Sequence, residues 1–351
     1  MLWTILVFAA FALVMVVITD YRKLEGYRFT WMLVGVALLL LPLAPVIGQE
    51  VNGARLWIQL GPIGFQPAEA AKLALVVFFA AYLRDAKELL ATATYKVGGL
   101  MLPQIKYFLP LATAWGISLL VMFYEKDLGS SLLFFGMFMA LLYVATGRFS
   151  YVAVGLSLFA VGATVAYNLF GHVQLRVSTW LDPWADYEDA GFQLAQSLFA
   201  LGSGGILGSG WGEGQPQTIP FASTDFIFAA LGEELGLTGS TAIVLIFLLM
   251  VFRGVRIALT ANDEFGTLLA TGLVITFALQ TFVIIAGVTR LIPLTGITLP
   301  FVSYGGSSLL SNYALIAVLL RISAASAPPP VPRPPEEEVA EASAGEATAL
   351  R

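Results

Sequence analysis

The sequence predicts an all-α, polytopic integral membrane protein, and composition is the first observation behind that prediction. Of its 351 residues, 58% are hydrophobic and 12% are charged, against about 25% charged residues in soluble domains. The mean hydropathy is +0.84. Several nearly uncharged windows are long enough, at about 1.5 Å per residue, to cross a hydrocarbon layer of about 30 Å. Backbone groups in lipid have no water to bind, so these windows must be helices.

About nine apolar runs are predicted to span the membrane, with one long extracytoplasmic loop at 171–225. The runs cover residues 2–19, 31–48, 68–83, 109–124, 131–147, 151–170, 226–252, 266–289 and 306–322. The third is short and carries Glu69 and Lys72, so we expect it to be tilted or partly re-entrant. The seventh contains Glu233 and Glu234, so its first half should lie against protein or water.

The distribution of Lys and Arg predicts the orientation. Alternate loops on one side, with the tail, hold Arg22, Lys23, Arg28, Arg84, Lys87, Lys96, Lys106, Arg148, Arg253, Arg256, Arg321, Arg333 and Arg351. The other side holds Arg55, Lys126, Arg176 and Arg290. We therefore expect the C-terminus in the cytoplasm and the N-terminus outside. The first run lacks a basic leader and a cleavage site, so we interpret it as a retained span.

Two regions are predicted from composition. Residues 1–323 form one transmembrane domain, and the Pro-, Ala- and Glu-rich stretch 324–351 should be a disordered cytoplasmic tail because it cannot bury a core. The acidic, glycine-rich loop 171–225 is long enough to suggest a function.

Some classes of chemistry are excluded by composition. The absence of cysteine rules out disulfides and thiolates, and the single His172 rules out a histidine-rich metal site. No basic surface suited to nucleic acid is present. The glycine stretch 202–214 lacks the closing Lys-Ser or Lys-Thr of a phosphate-binding loop.

Three acids in "STDFIFAALGEELG" are the main candidates for function. Asp225 lies where the long outer loop enters an apolar run, so it is either an acid at a helix N-terminus or a partly desolvated general base with a raised pKa. Both readings stay open on the residues alone. Glu233 and Glu234 fall within apolar sequence, so at least one must face protein, water or a cation.

The outer cations are few, which makes them informative. If the ligand carries a diphosphate, Arg55, Lys72, Arg176 and Arg290 are the candidates to bind it. Lys72 should also pair with Glu69, three residues earlier on the same helical face, whereas Lys126 should pair with Glu125 or Asp127. The ring systems of Trp180, Trp184 and Trp211 suit sugar stacking, although anchoring at the membrane interface is the commoner use of tryptophan.

Five motifs together resemble the SEDS family (shape, elongation, division and sporulation). They are "RLWIQLGPIGFQPAEAAKL", "EKDLGSSLL", "QLAQSLFALGSGGILGSGWGEG", "STDFIFAALGEELGLTG" and "RLIPLTGITLPFVSYGGSSLLSNY". The resemblance covers residues 15–323 and is closest to the RodA-like members. Departures include Ala68 for a usual Ser, Glu125-Lys126 for Gln-Pro, and the loss of an acid and a His before Asp225.

The resemblance implies a peptidoglycan glycosyltransferase that polymerises lipid II into β-1,4-linked glycan strands during cell elongation. It implies a class B penicillin-binding protein as partner, lipid II, the growing glycan and membrane lipid as further contacts, and no nucleic acid. The family's essential aspartate falls on Asp225. The motifs also place Glu69, Gln196, Glu233, Glu234 and Ser303 among the supporting residues. A divalent cation, Mg or Mn, fits a diphosphate, but the sequence shows no ligand cluster for it.

Family members have ten spans with both termini inside, so the resemblance implies that this chain begins at the family's second span. The active site is then expected on the extracytoplasmic face of the plasma membrane. Two alternatives remain open: a lipid II flippase or other transporter, and a non-catalytic scaffold for the penicillin-binding protein. No internal repeat of the kind found in many transporters is evident.

Overall fold

The computed structural model describes residues 2–44, 47–51, 54–60, 63–92, 94–97 and 100–327, and these residues are mainly helical. The described helices are α1 (Leu2–Val17), α2 (Arg28–Leu40), α3 (Pro67–Thr92), α4 (Ile105–Tyr124), α5 (Leu128–Thr146), α6 (Phe149–Leu169), α7 (Gly171–Leu181), α8 (Phe192–Ser203), α9 (Ile227–Thr260), α10 (Glu264–Val288) and α11 (Gly306–Ala325).

Each of the nine predicted runs coincides with a helix, so the polytopic helical prediction is confirmed. Within the described residues, seven segments are long and apolar enough to cross a membrane. They contain α2, α4, α5, α6, α9, α10 and α11, while α1 holds a shorter apolar stretch, Ile5–Val17. The one remaining predicted run corresponds to α3, which is 26 residues long but carries charged residues.

The expectation of a short or partly re-entrant third span is wrong, whereas its tilt stays a prediction. Helix α3 begins at Pro67, whose missing N–H is harmless in a first turn, and continues to Thr92. Most of its residues are buried inside the protein rather than facing lipid. Lys72 is 3% exposed and lies next to Glu69, so the two charges neutralise each other and the helix need not avoid the apolar layer.

The second predicted run, 31–48, ends earlier than expected. Helix α2 stops at Leu40, and a 3-10 turn with Pro42 follows over Leu41–Leu43. Proline cannot donate the next helical hydrogen bond. The described residues that follow, 48–51, 54–60 and 63–65, form strands instead of helix.

Two small antiparallel sheets add to the predicted helical fold. Strands β1 (Gly48–Val51), β2 (Ala54–Leu60) and β3 (Ile63–Phe65) lie between α2 and α3, and β4 (Thr94–Val97) pairs with β5 (Leu100–Pro103) between α3 and α4. In the first sheet Ile58 of β2 pairs with Gly48 on one side and with Phe65 on the other. Strand β2 of the first sheet contacts α3.

Helices α3 and α10 form the centre of the bundle. On α3, Leu75, Phe78 and Phe79 are fully buried, and α10 packs against α3, α5 and α9. A Cβ at Gly272 of α10 would lie 2.8 Å from Val76 Cγ1, so the glycine lets the two central helices approach closely. The polar side chains described below are therefore held by a rigid core.

Helix α9 extends beyond the predicted run 226–252 and is broken inside it. Gly236 has φ +67° and ψ −168°, a conformation that is essentially restricted to glycine. The glycine-rich loop fills the break. Ser209 N–H donates to Glu233 O (2.9 Å) and Gly210 N–H to Glu234 O (3.1 Å). Beyond the break, Leu237 N–H donates to a carbonyl of the same loop, that of Gly205. The loop thus satisfies the backbone groups that the break exposes.

Tertiary contacts define two ends of the bundle. At one end Arg22 pairs with Asp263 (3.1 Å) and Lys87 with Glu264 (2.5 Å), and Arg28 and Arg84 pair with Asp85 and Glu25. The other end holds α7, α8, the residues before α9 and the irregular segment 289–305.

The predicted tail, 324–351, begins within α11, which reaches Ala325. Residues 328–351 lie outside the described residues.

Candidate functional site

A cavity of about 360 Å³ lies at the end of the bundle opposite the Arg22–Asp263 pair. Its walls come from four elements: one face of α7, the start of α8 with the turn before it, the residues before α9, and segment 289–305. The lining residues are Leu175, Arg176, Thr179, Trp180, Asp189, Ala190, Gln193, Leu194, Phe221, Asp225, Leu294 and Gly296. On α7 the spacing i, i+1, i+4, i+5 places all four residues on one helical face.

The backbone before Asp225 is tied to segment 289–305. Ser303 Oγ donates to Thr224 O (2.6 Å) and accepts from Leu299 N–H (2.8 Å). Tyr304 N–H also donates to Ser223 O (2.8 Å). Ser303 is buried, and its hydroxyl joins the residues before α9 to segment 289–305. It therefore positions Asp225 and is not among the residues that line the cavity.

The environment of Asp225 makes its carboxylate a stronger base than that of a solvent-exposed aspartate. Burial raises the pKa of the Asp225 carboxyl to about 6, while hydrogen bonding with Thr224 and the charge of Arg176 act in the opposite direction. The N-cap of α9 is Phe226, without a side-chain capping bond, and no described hydrogen bond joins a backbone N–H of α9 to Asp225. The geometry thus favours the raised-pKa reading over the helix-capping reading.

Arg176 is the predicted cation that the structure brings to Asp225. Its Nη1 donates to the carbonyls of Leu294 (3.0 Å) and Thr295 (3.1 Å), so the guanidinium is fixed between α7 and segment 289–305. Burial lowers the pKa of Arg176, and the negative charges of Asp127 and Asp225 oppose that shift. Arginine stays charged even so. The cavity therefore holds a fixed cation beside a carboxylate of raised pKa.

Arg290 lies behind the cavity wall. Its Nε donates to Trp180 O (2.8 Å) and its Nη2 to Leu181 O, while its own carbonyl accepts from Trp180 Nε1 (3.1 Å). The side chain thus binds the free carbonyls at the C-terminus of α7, a favourable place for a cation. Its predicted role at a diphosphate stays a prediction.

Arg55 and Lys72 are placed away from the lining of the cavity. Arg55 is exposed on β2 and pairs with Glu50 at 3.5 Å. The predicted Glu69–Lys72 pair is confirmed, with Lys72 Nζ 2.6 Å from Glu69 Oε2. Lys72 also donates to Gln280 Oε1 (2.7 Å). Gln280 Nε2 in turn donates to Thr298 O (2.9 Å). This hydrogen-bond network therefore connects α3 and α10 to segment 289–305.

Glu233, Glu234 and Gln196 also lie outside the lining of the cavity. The two glutamates come just before the break in α9 at Gly236, and Glu233 Oε2 is buried without a described partner. A Cβ at Gly214 would lie 2.9 Å from Glu234 Cγ, so the glycine-rich loop packs directly on them. Gln196 Nε2 donates to the hydroxyl of Tyr187 at 2.9 Å.

Three polar lining residues were not singled out from the sequence: Thr179, Asp189 and Gln193. Their signal is the repeated spacing i, i+1, i+4, i+5 in 175–180 and in 189–194. It becomes meaningful only once α7 and the start of α8 are known to line the same cavity. Within the described ranges, no group of three or more His, Cys, Asp or Glu residues is arranged to hold a metal ion. The divalent cation stays a prediction.

Comparison with known proteins places the chain in a family. The family model for FtsW, RodA and SpoVE, described as cell cycle protein, matches residues 1–327. Peptidoglycan glycosyltransferase RodA of Mycobacterium tuberculosis is 52% identical over 324 residues, 92% of this chain and 69% of that protein. RodA of Mycobacterium leprae is 47% identical over 334 residues, 95% and 71% of the two chains.

A solved structure is also similar. It is a chain of a peptidoglycan synthase complex in which polymerization and crosslinking are structurally coordinated, with a TM-score of 0.75 and 27% identity over 92% of this chain and 88% of that one. The sequence family, the helical architecture and the fold of this neighbour agree. The chain belongs to the FtsW, RodA and SpoVE family of cell cycle proteins.

Proposed function

We propose that the chain is a peptidoglycan glycosyltransferase that polymerises lipid II into β-1,4-linked glycan strands during cell elongation. The observation that carries the proposal is the joint presence of Asp225 and Arg176 in one cavity at the end of the bundle. Relatives named peptidoglycan glycosyltransferase RodA, at 52% and 47% identity, support the reaction class.

The proposed chemistry is an inverting displacement at the anomeric carbon. The Asp225 carboxylate accepts the proton of the acceptor's 4-hydroxyl, and the oxygen forms a bond to C1 of the donor sugar. The bond from C1 to the diphosphate oxygen breaks on the opposite face, and undecaprenyl diphosphate leaves. A base with a pKa near the working pH suits the proton transfer. A fixed guanidinium suits the charge that develops on the leaving group.

The proposal places the cavity on the extracytoplasmic side of the cell membrane. The basic loops lie at the opposite end of the bundle, as the positive-inside rule requires for the cytoplasmic side. We further propose a class B penicillin-binding protein as partner. The synthase complex to which the fold is similar supports an assembly of this kind.

The decisive variant is Asp225→Asn, which keeps the shape of the side chain but cannot accept the proton. Polymer formation from lipid II should fall at least about 100-fold, the usual contribution of a general base. Purified protein would be tested with its partner transpeptidase. Glu213→Gln, an acid in the same outer segment that does not line the cavity, is the matched control and should keep its activity.

Thermal unfolding of both variants would show that the fold is intact. Unchanged polymer yield from a folded Asp225→Asn protein contradicts the proposal. Lipid II translocation in liposomes without any polymer from the wild-type chain would favour the transporter instead.

A further inference from the structure

One wall of the cavity carries an aromatic ring and polar groups that the proposed chemistry does not use. Thr179 and Trp180 come from α7, and Asp189 and Gln193 come from the turn before α8 and its first turn. Asp225 and Leu294, which also line the cavity, belong to other elements. We refer to these four residues as the α7–α8 wall.

The Trp180 ring is held in a fixed orientation. Its Nε1 donates to Arg290 O (3.1 Å), and Arg290 Nε donates back to Trp180 O (2.8 Å). The ring is half-buried, so one part packs on protein while another faces the cavity. A ring already fixed before a ligand arrives loses little conformational freedom on binding.

The three polar residues of the wall have free hydrogen-bonding capacity. Among the described residues, no side-chain hydrogen bond engages Thr179, Asp189 or Gln193. A tight turn fixes the position of Asp189: Gly191 N–H donates to Asp186 O (2.9 Å), and a Cβ at Gly191 would lie 1.9 Å from Pro183 O. The wall therefore offers a hydroxyl, a carboxylate and an amide from a rigid backbone.

This combination matches the chemistry of a pyranose ring. A sugar has an apolar C–H face that packs on an aromatic ring, and an edge of hydroxyls that needs both acceptors and donors. Asp189 accepts, Gln193 does both, and Thr179 does both. A phosphate fits this wall poorly because the Asp189 carboxylate repels it. The cation that suits a phosphate is Arg176, which lies on the same face of α7 one turn earlier and outside the α7–α8 wall.

We propose that the α7–α8 wall binds the pyranose ring of the acceptor sugar and presents its hydroxyl to Asp225. This inference rests on the proposed function and adds the residues that would recognise the acceptor. Trp180 would act as the platform for the ring. Asp189 and Gln193 would set which hydroxyl faces the base. None of these residues takes part in proton transfer.

The test separates a platform from a structural tryptophan. Trp180→Phe loses the indole bond to Arg290 but keeps a ring, so kcat/KM for lipid II should stay within about threefold of wild type. Trp180→Ala removes the ring and should lower kcat/KM about tenfold, mostly through KM, as expected for an aromatic anchor worth about 1.4 kcal/mol. Trp184→Ala is the matched control, because Trp184 is in the same outer segment but does not line the cavity.

The carboxylate is tested in the same way. Asp189→Ala should lower kcat/KM about tenfold, since a charge-assisted hydrogen bond is lost. The control is Glu188→Gln, which changes the adjacent residue outside the cavity lining and should match wild type.

Equal effects of Trp180→Phe and Trp180→Ala on kcat/KM would show a structural role for Trp180 and overturn the inference. So would wild-type kinetics from both Trp180→Ala and Asp189→Ala.

A second measurement makes the result independent of polymerisation. Chitotetraose, a soluble β-1,4-linked oligosaccharide without lipid or diphosphate, would be titrated against the full chain in detergent by saturation-transfer NMR. Signal from wild type and from Trp184→Ala, with loss in Trp180→Ala, supports the sugar site even if lipid II is not polymerised. Absence of signal from wild type overturns the inference while leaving the test of Asp225 unaffected.

Discussion

Asp225 experiences opposing influences on its proton affinity. Burial in the cavity wall raises the pKa of its carboxyl to about 6, and the nearby Arg176 guanidinium pulls that pKa down. Burial without the cation would hold this pKa higher still, and full exposure would return it to the low value of a free aspartate, which is a weaker base. Its position between these limits is what a general base requires.

The rate of polymerisation should therefore depend on the ionisation of Asp225. A carboxyl accepts a proton only when ionised, so the rate should rise as pH increases through about 6 and level off above roughly 7. In Arg176→Gln the pKa-lowering charge is gone, so the midpoint should move to higher pH in addition to the loss of rate. Initial rates from pH 5 to 8 in both proteins measure this, and an unmoved midpoint would contradict the coupling.

At the residue scale, sequence reasoning reached Asp225 and Arg176 but not the rest of the cavity. Asp225 stands out because an acid at the edge of an apolar run is costly, and that cost is visible in the sequence. Gln193 and Asp189 stand out only through their neighbours in space. Gln193, rather than the predicted Gln196, lines the cavity, while Gln196 Nε2 donates to the Tyr187 hydroxyl instead.

At the scale of elements, the break in α9 links the glycine-rich loop to the two partly buried glutamates Glu233 and Glu234. A continuous helix would need no partner for the carbonyls of Glu233 and Glu234, but the turn at Gly236 frees them and the loop's N–H groups bind them. The loop in turn needs glycine, since a Cβ at Gly208 would lie 2.1 Å from Glu234 O. Loop and break are therefore parts of a single structural unit.

Gly236→Ala should destabilise this unit more than an ordinary helical substitution. The φ of +67° and ψ of −168° suit glycine almost alone, at a cost of about 1–3 kcal/mol for other residues. A Cβ there would also lie 2.3 Å from Gly208 N. The apparent melting temperature in detergent should fall. Gly202→Ala, where an added Cβ meets nothing within 4 Å, is the control and should melt at or above the wild-type temperature.

The membrane helices could be predicted from apolar length, whereas the short strands and helices α7 and α8 could not. Strands β1 to β3 are stabilised by pairing with one another, which no local pattern reports. Helices α7 and α8 lie in a polar segment without a long apolar run, so the sequence showed only a long loop. Helix α3 was expected to be short because Glu69 and Lys72 interrupt the apolar run in the sequence. In the structure the two charges pair with each other inside the bundle, so the helix continues.

At the scale of the whole molecule, the two ends of the bundle differ in chemistry, and the orientation can be tested directly. The natural chain has no cysteine, so a single introduced thiol reports on its own position without background labelling. Glu188, between α7 and α8, and Glu88, near the end of α3, are both exposed and lie at opposite ends. In protoplasts, a membrane-impermeant maleimide should label Glu188→Cys and leave Glu88→Cys unlabelled, and permeabilised cells should show both labelled. The reverse pattern would put Asp225 on the cytoplasmic side, where the proposed polymerisation of an extracytoplasmic glycan has no substrate.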